Sequence, residues 1–379
     1  MRGKRQHDHR PWIAIALLAL AACGPTARPA AGRTPAWDPS LQAARSRGWA
    51  HLVDRLVADG VDRRQVARTF ADPRMPAFDG MEFRVPKPGR GGGGGHGGGV
   101  SSADVAGAWR CRAQYSRAFA ETEARSGVPG NVVAALLQVE TGCGRNTGTH
   151  RVLPALARLA MANEPENLSM NVSLHSRRAD DEEAGDVAHR VRSRAHYLDK
   201  TFYPEVKATF EAARRMGVDP LDIRGSFAGA FGIPQFLPSS YLRYGRDGNG
   251  DGRVDLHDPE DAIASCGNYL ASNGWRPGID SDGRRKVIWN YNHSQAYVNK
   301  VLGIASRVGD VDGDGETRRP AEPRLQVTRR HPSRRAPDLD PRVPAVASPA
   351  FDRRAWPAPP PRPPETWFSR SGRDWLSRR

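Results

Sequence analysis

The sequence predicts a mainly α-helical protein with little or no β-sheet. Residues 132–139 are apolar at every position except Gln138, and they lie between Pro129, which suits the start of a helix, and Gly142, which suits its end. An amphipathic pattern over residues 261–273 stops before Gly274. Further helical patterns cover residues 104–126, Ala50–Val57 and Arg63–Ala71.

The N-terminus predicts export and a lipid anchor. Met1–Arg10 is basic and Pro11–Ala22 is a short apolar run, so residues 1–22 have the form of a signal peptide and are too short to span a bilayer permanently. Leu20-Ala21-Ala22-Cys23 matches the bacterial lipobox, in which the cysteine is acylated; a chance cysteine after a cleavage site is the alternative. The expected location is the periplasmic face of the outer membrane of a Gram-negative bacterium, with Cys23 as the anchor.

Composition divides the rest of the chain into segments. A Pro/Ala-rich tether covers residues 23–47, a helical piece covers 48–85, and a Gly-rich linker covers 86–100, a composition typical of a flexible spacer. The main domain is expected at residues 101–316.

Residues 317–379 form a basic tail that we expect to be disordered. They carry 15 arginines and six acidic residues, a net charge of +9 out of +15 for the whole chain, and they lack apolar periodicity. Anionic polymers of the cell wall or lipid headgroups would attract such a tail. Nucleic acid is the alternative partner, but export argues against it.

Glu140 is the candidate acid in the apolar helix of residues 130–141. In the last turn the helix dipole disfavours a carboxylate, and apolar surroundings disfavour its ionisation, so we expect its pKa to be raised, as a general acid requires. The alternative is a structural Glu that reaches water or pairs with Arg145.

Two further stretches carry candidate binding residues. Residues 226–240, Ser-Phe-Ala-Gly-Ala-Phe-Gly-Ile-Pro-Gln-Phe-Leu-Pro-Ser-Ser, place Gln235, with its amide donor and acceptor, among apolar and small residues. Residues 268–297 contain polar and aromatic side chains that suit sugar contacts, and core packing or helix capping would explain them equally well: Asn268, Tyr269, Tyr291 and Asn292.

Residues 247–261 contain the pattern of a calcium loop. Asp247, Asn249 and Asp251 supply side-chain oxygens at positions one, three and five, Gly252 follows at position six, and Arg253 would supply its carbonyl at position seven. Position twelve is Asp258, shorter than the usual Glu. A solvated Asp/Gly turn is the alternative.

These blocks together resemble the membrane-bound lytic murein transglycosylase B family. The likeness rests on Val139-Glu140-Thr141 with Gly144-Arg145, on residues 226–240, on the 247–261 loop, and on Asn268-Tyr269 and Tyr291-Asn292, and it covers roughly residues 48–305. Gln138, Phe231 and Asn290 depart from the family pattern.

The resemblance implies a lysozyme-like catalytic domain and a carbon–oxygen lyase acting on peptidoglycan glycan strands. Glu140 would be the single acid/base, and the C6 hydroxyl of N-acetylmuramic acid would attack C1 to leave a 1,6-anhydro ring. Ser226 and Gln235 would position Glu140 and the sugar, and the residues at 268, 269, 291 and 292 would line the groove. In the family's longer loop the closing acid maps to Asp261 rather than Asp258, with calcium in a structural role. A monomer without an organic cofactor is expected.

Three cysteines remain if Cys23 is lipidated: Cys111, Cys143 and Cys266. Export favours one disulfide and one free thiol. In an antiparallel helix pair folded at residue 127, positions 111 and 143 lie opposite each other, so we expect the Cys111–Cys143 pair, although the spacing alone leaves other pairings open.

Two other functions are compatible with the sequence. A hydrolytic muramidase would use the same acid with water, and a non-catalytic lipoprotein would keep the groove only to bind peptidoglycan. The mass of the products separates the first from a transglycosylase, and turnover of purified peptidoglycan separates the second.

Overall fold

The structure, a computed structural model, describes residues 39–85, 99–179 and 184–313. The signal peptide, Cys23, most of the Gly-rich linker and the tail of residues 317–379 lie outside these ranges. The described part is mainly helical, which confirms the predicted class. Its sheet consists of β1 (His150–Arg151) paired antiparallel with β2 (Arg224–Gly225), with His150 opposite Gly225.

The N-terminal piece is built from three short helices around a tryptophan. They are α1 (Pro39–Ala44), α2 (Ala50–Ala58) and α3 (Arg63–Ala71), and residues 45–49 join the first two through a kink. Trp49 is fully buried, with its ring 5.4 Å from that of Phe70. The pattern at 63–71 predicted α3 with its observed ends. The predicted tether is too long, because α1 begins at Pro39, where Leu41 and Ala44 bury their side chains.

Three helices follow the Gly-rich linker, and the last of them carries the candidate acid: α4 (Ser102–Gln114), α5 (Ser116–Ser126) and α6 (Gly130–Thr141). The single helix predicted over 104–126 is wrong, since Tyr115 leaves the helical conformation at φ −114° and ψ 35°. The break allows α4 to pack on α6 while α5 packs on a later helix, Pro259–Ser272. Gly142 ends α6 in the left-handed conformation, as its position predicted.

The middle of the chain forms α7 (Val152–Ala160), α8 (Pro165–Arg177) and the long α9 (Ala184–Met216). Side-chain amides of α8 form hydrogen bonds with the backbone of residues 81–83, an extended stretch of the N-terminal piece; we call this contact the amide clasp. Asn167 accepts from the Met81 N–H at 2.6 Å, and Asn171 accepts from the Phe83 N–H at 3.1 Å and donates to the Met81 carbonyl at 2.8 Å. These contacts satisfy backbone groups that no β-strand pairs.

The C-terminal part of the described chain closes around α6. It comprises α10 (Pro238–Tyr244), α11 (Pro259–Ser272), α12 (Ser281–Tyr291) and α13 (Gln295–Gly313). α13 packs against both α6 and α4, and Asn131 at the start of α6 donates to the Ala305 carbonyl at 2.7 Å. α6 is therefore enclosed on most sides, and only its C-terminal end carries a half-buried carboxyl group.

Within these ranges, every helix falls short of the length or apolar character needed to cross a membrane.

Candidate active site

The carboxyl group of Glu140 is held by a tyrosine far along the chain. Glu140 is half-buried in the last turn of α6, and the hydroxyl of Tyr297, in the first turn of α13, donates to its Oε1 at 2.8 Å. The Tyr297 ring lies parallel to that of Tyr291, with centroids 6.4 Å apart and an interplanar angle of 6°. The tyrosine pair therefore fixes the orientation of the carboxyl group.

The chain just beyond Glu140 is constrained by its backbone and by a cross-link. Gly142, Cys143 and Gly144 all have positive φ, and Cys143 is one of two non-glycine residues in the described ranges that do. Cys143 forms a disulfide with Cys111 of α4, the expected pair, with Cα atoms 6.2 Å apart. The third cysteine, Cys266, is buried and lies outside this bridge. The disulfide holds the turn after the candidate acid against α4.

Residues 226–240 form the wall beside this turn. Thr141, next to Glu140, donates its hydroxyl to the Ile233 carbonyl at 2.9 Å. Gln235 is buried at φ +50° and donates to the carbonyls of Thr147 at 3.0 Å and Gly232 at 2.8 Å. The hydroxyl of Ser226 contacts the backbone of Ala230. Gln235 thus ties the wall to the 141–148 turn through its side-chain nitrogen.

Glycine is required in this wall where it approaches its neighbours. Gly232 has φ +72°, and a Cβ atom there would overlap the backbone and side chain of Leu256. At Gly229, with φ +82°, a Cβ would overlap the side chain of Leu156. The small residues noted in the sequence are therefore explained by close packing.

Two of the predicted sugar contacts are packing residues instead. Tyr291 is 1% exposed and donates its hydroxyl to the Pro234 carbonyl, and Tyr269 is 8% exposed and donates to the Asn290 carbonyl at 2.9 Å. The two rings meet edge to face at 4.7 Å in a cluster with Phe236 and Tyr244. Core packing, the alternative that the sequence also allowed, therefore accounts for both tyrosines, whose rings have no exposed face in this structure.

The two asparagines next to these tyrosines differ from each other. Asn268 donates to the Tyr244 carbonyl at 2.9 Å. Asn292 is 3% exposed, and its Oδ1 has no hydrogen-bond partner among the residues that the structure describes. A buried acceptor without a partner is costly and suggests a contact with a polar ligand or water.

Tyr297 is the site residue that the sequence did not single out. Three residues before it stands Ser294, a residue type that often caps helices, and its hydroxyl accepts from the Tyr297 N–H at 3.3 Å. A capped start near residue 294 places Tyr297 in the first helical turn, and this was the available signal. Its contact with Glu140 spans 157 residues and has no local pattern.

In the 247–261 loop, side-chain oxygens accept hydrogen bonds from the loop's own backbone. Asp247 accepts from the Gly250 N–H at 2.6 Å, Asn249 accepts from the Asp251 N–H at 2.9 Å, and Asp251 accepts from the Arg253 N–H at 2.8 Å. No three His, Cys, Asp or Glu side chains converge to hold a metal ion anywhere in the described ranges. The side-chain atoms that could bind a metal here are all oxygens, which calcium prefers as ligands. In this structure those oxygens point towards backbone N–H groups.

Asp261 faces this loop and Asp258 does not. Asp261 is 1% exposed and accepts from the N–H groups of Gly248 and Asp255, each at 2.7 Å. Burial raises the pKa of Asp261, although these hydrogen bonds act in the opposite direction. Asp258 instead caps α11, accepting from the Glu260 N–H at 2.8 Å.

The fold and the site together define a mainly helical domain with one half-buried carboxyl group at the end of a central helix. Residues 96–284 match the family described as Transglycosylase SLT domain, and over this range the chain belongs to that family. α13 and Tyr297 lie beyond the matched range.

One similar protein is the membrane-bound lytic murein transglycosylase B of Escherichia coli (strain K12). It is 36% identical over 165 residues, which cover 44% of this chain and 37% of the relative. The match therefore spans just over a third of that protein's length.

Two solved structures of the Escherichia coli lytic transglycosylase SLT35 have a similar fold. The complex with bulgecin A gives a TM-score of 0.51 and the complex with calcium gives 0.50. In both cases the identity is 23%, and the match covers 73% of this chain and 95% of the other. At this identity the likeness shows the fold.

Proposed function

We propose that this protein is a peptidoglycan lytic transglycosylase, which cleaves the β-1,4 bond between N-acetylmuramic acid and N-acetylglucosamine. The observation that carries the proposal is the contact of Tyr297 with Glu140, which fixes one carboxyl group at the open end of α6. The family of residues 96–284 and the name of the Escherichia coli relative support the same reaction class.

Glu140 acts twice in this reaction. As a general acid it protonates the glycosidic oxygen, and the bond between that oxygen and C1 of the muramic residue breaks. Its carboxylate then takes the proton of the C6 hydroxyl, whose oxygen bonds to C1 and closes the 1,6-anhydro ring. No water is consumed, so a single carboxyl group in a fixed orientation is sufficient.

The substrate contacts that we propose are polar. Asn292 is the proposed contact for an N–H donor such as that of an N-acetyl group, and this contact requires its buried Oδ1 to become exposed when the substrate binds. Ser226 and Gln235 act at the wall, where their hydrogen bonds to backbone set its shape, and Asn268 of α11 holds the end of the preceding helix, α10, through the Tyr244 carbonyl. The roles of Tyr269 and Tyr291 are to pack behind these residues.

Mass analysis of the digestion products tests the reaction. Purified peptidoglycan treated with the enzyme should yield muropeptides with anhydro ends, which lack the mass of one water relative to hydrolysis products. Products with reducing ends would identify a hydrolytic muramidase. No products at all, with binding retained, would identify a peptidoglycan-binding lipoprotein.

We propose further that the 247–261 loop binds one calcium ion in a structural role. The proposed ligands are the side chains of Asp247, Asn249, Asp251 and Asp261 and the carbonyl of Arg253. The calcium-loop pattern of the sequence and the burial of Asp261 against the loop support this site. The similar fold of SLT35 has been solved in complex with calcium. The ion would hold the loop and the start of α11 together.

Calcium should raise the melting temperature of the protein, because an ion that binds only the folded state stabilises it by mass action. The expected gain disappears in Asp251→Ala, which loses a side-chain ligand. Asp282→Ala, on the surface of α12, is the matched control and should keep the gain. Identical melting curves with millimolar calcium and with chelator would leave the loop as a solvated turn.

Anchoring through Cys23 is also a proposal, and its test is fractionation. The native protein should be recovered with membranes, and Cys23→Ser should be recovered in soluble or uncleaved form. The basic tail adds attraction to anionic wall polymers, so truncation at about residue 317 should weaken wall binding at low salt and leave membrane recovery unchanged. Membrane recovery of Cys23→Ser in processed form would contradict lipidation.

A further inference from the structure

Glu205 is a buried carboxyl group to which the reaction above gives no role. It lies in the long helix α9 and is 0% exposed. A carboxyl group is rarely buried completely without partners, since it loses its hydration. Its hydrogen-bond partners therefore indicate its structural role.

Both oxygens of Glu205 bind one residue, Ser239. Oε2 accepts from the Ser239 backbone N–H at 2.9 Å, and Oε1 accepts from its hydroxyl at 2.5 Å. Ser239 is the second residue of α10, where backbone N–H groups have no partner within the helix. Glu205 thus caps α10 from a different helix.

Ser239 belongs to the same wall, residues 226–240, that borders the candidate acid. Towards Glu140, the Ile233 carbonyl accepts from Thr141, and the Pro234 carbonyl accepts from the hydroxyl of Tyr291. Towards α9, the wall is held by Glu205. The wall is therefore fixed at two ends, one of them next to Glu140 and the other at a buried acid.

We propose that Glu205 is a positioning residue for the glycan-cleaving reaction, which acts by fixing the 231–239 part of the wall through Ser239. Without this cap the carbonyls of Ile233 and Pro234 shift, and with them Thr141 and the Tyr291–Tyr297 pair that orients Glu140. The inference rests on the proposed function only for its effect on rate; the anchoring of the wall stands on the contacts alone.

The buried charge of Glu205 would have Ser239 as its hydrogen-bond partner and no neighbouring cation among the causes that shift its pKa. Desolvation raises the pKa of Glu205 to about 7, while the two hydrogen bonds from Ser239 oppose the rise. Ionisable groups on the helices packed against α9 have other partners: Arg158 of α7 donates to the Gly80 carbonyl, His175 of α8 pairs with the Phe83 carbonyl, and Tyr241 of α10 donates to the Val254 carbonyl. On α9 itself, Asp199 pairs with Arg55, and Tyr203 and Lys207 pair with Asp59.

Three variants test the proposal on the full chain. Glu205→Ala should lower kcat for peptidoglycan cleavage by about 10- to 100-fold with little change in KM, because misplacement of a catalytic group acts mainly on the reacting step. Glu205→Gln keeps the shape and one acceptor and should restore most of kcat. Glu211→Gln, at a half-buried residue of the same helix that pairs with Arg214, is the control and should behave as the native enzyme. A folded Glu205→Ala enzyme with native kcat would overturn the proposal.

A measurement independent of activity separates this proposal from the proposed function. Hydrogen exchange of the amides of residues 233–239 should be faster in Glu205→Ala than in the native protein, with α3 as an unaffected reference. If the native protein cleaves nothing but this exchange difference appears, the reaction is wrong and the anchoring is right. Equal exchange would overturn the anchoring. If Glu205→Ala does not fold, Ser239→Ala, which keeps the backbone contact, should show the same change in smaller measure.

Stability against pH gives a further test of the buried acid. Its folded-state pKa is raised above that of the unfolded chain, so its contribution is fully present below the unfolded value and is lost as the pH rises through about 7. Glu205→Gln lacks this loss. Since every other group titrates in both proteins, the native melting temperature should fall relative to that of the variant between pH 5 and pH 8. Parallel curves would show that the carboxyl group is not held in the dry environment on which the anchoring depends.

Discussion

Glu140→Gln should reduce cleavage of peptidoglycan by about 10²–10⁴-fold, the usual contribution of general acid–base catalysis. Gln has the shape of Glu and can still accept from the Tyr297 hydroxyl, but it cannot transfer the proton. The melting temperature and the affinity for glycan should therefore stay close to those of the native protein. Initial rates on purified peptidoglycan, with melting curves of both proteins, provide the measurement.

Two further variants test whether the loss of activity in Glu140→Gln comes from the missing acid. Glu123→Gln is the matched control, since Glu123 accepts from the Gly130 N–H at the other end of α6, 2.9 Å away, and should keep full activity. Tyr297→Phe keeps the acid and loses only its orienting hydrogen bond, so a smaller loss is expected. A Glu140→Gln enzyme with more than about a tenth of the native rate would place the acid elsewhere.

Removal of the Cys111–Cys143 disulfide should lower the free energy of unfolding by roughly 3–4 kcal/mol, on the chain-entropy estimate for a loop of this length. The cross-linked cysteines are 32 residues apart. Denaturant unfolding of the native protein and of Cys111→Ala/Cys143→Gly measures the loss. Activity should fall as well, because the turn after Glu140 loses its attachment to α4.

Substitution of Cys143 by Gly, rather than by Ala, separates the loss of the cross-link from strain in the backbone at this position. Cys143 has φ +57°, which glycine adopts without strain and alanine does not. Cys111→Ala/Cys143→Ala should thus be less stable than the glycine version by about 1 kcal/mol. Reductant should destabilise the native protein and neither double variant; a native unfolding midpoint that does not respond to reductant would show that the disulfide contributes nothing.

The parts of the fold that the sequence predicted well are those with local causes. Gly142 ends α6 and the pattern at 63–71 marks α3 because helix ends depend on a few neighbouring residues. The break at Tyr115 has no Gly or Pro to mark it, and it follows from the different partners of α4 and α5. A break of this kind depends on tertiary packing and is not visible in a periodic pattern.

The same distinction applies to the site. Glu140 and the loop acids stand in compact motifs, and their positions follow from those motifs. Tyr291 and Tyr297 have the same residue type and lie on neighbouring helices, yet Tyr297 donates to the carboxyl group and Tyr291 donates to the Pro234 carbonyl. Which face of a helix meets the acid depends on the crossing of α6 and α13, and the contact of Glu205 with Ser239 likewise joins helices that no motif connects.

The amide clasp of α8 has a consequence for how the chain tolerates insertions. The clasp holds Phe83, and Arg307 of α13 donates to the Val100 carbonyl at 3.0 Å, so the backbone is fixed on both sides of the Gly-rich linker. For a linker with the composition of a flexible spacer, the entropy of closing the loop grows only logarithmically with its length, and doubling that length costs about 0.6 kcal/mol. Insertion of a tag or a small domain between residues 86 and 98 should therefore change the free energy of unfolding only slightly. An insertion of the same size between Thr141 and Gly144 would displace Glu140.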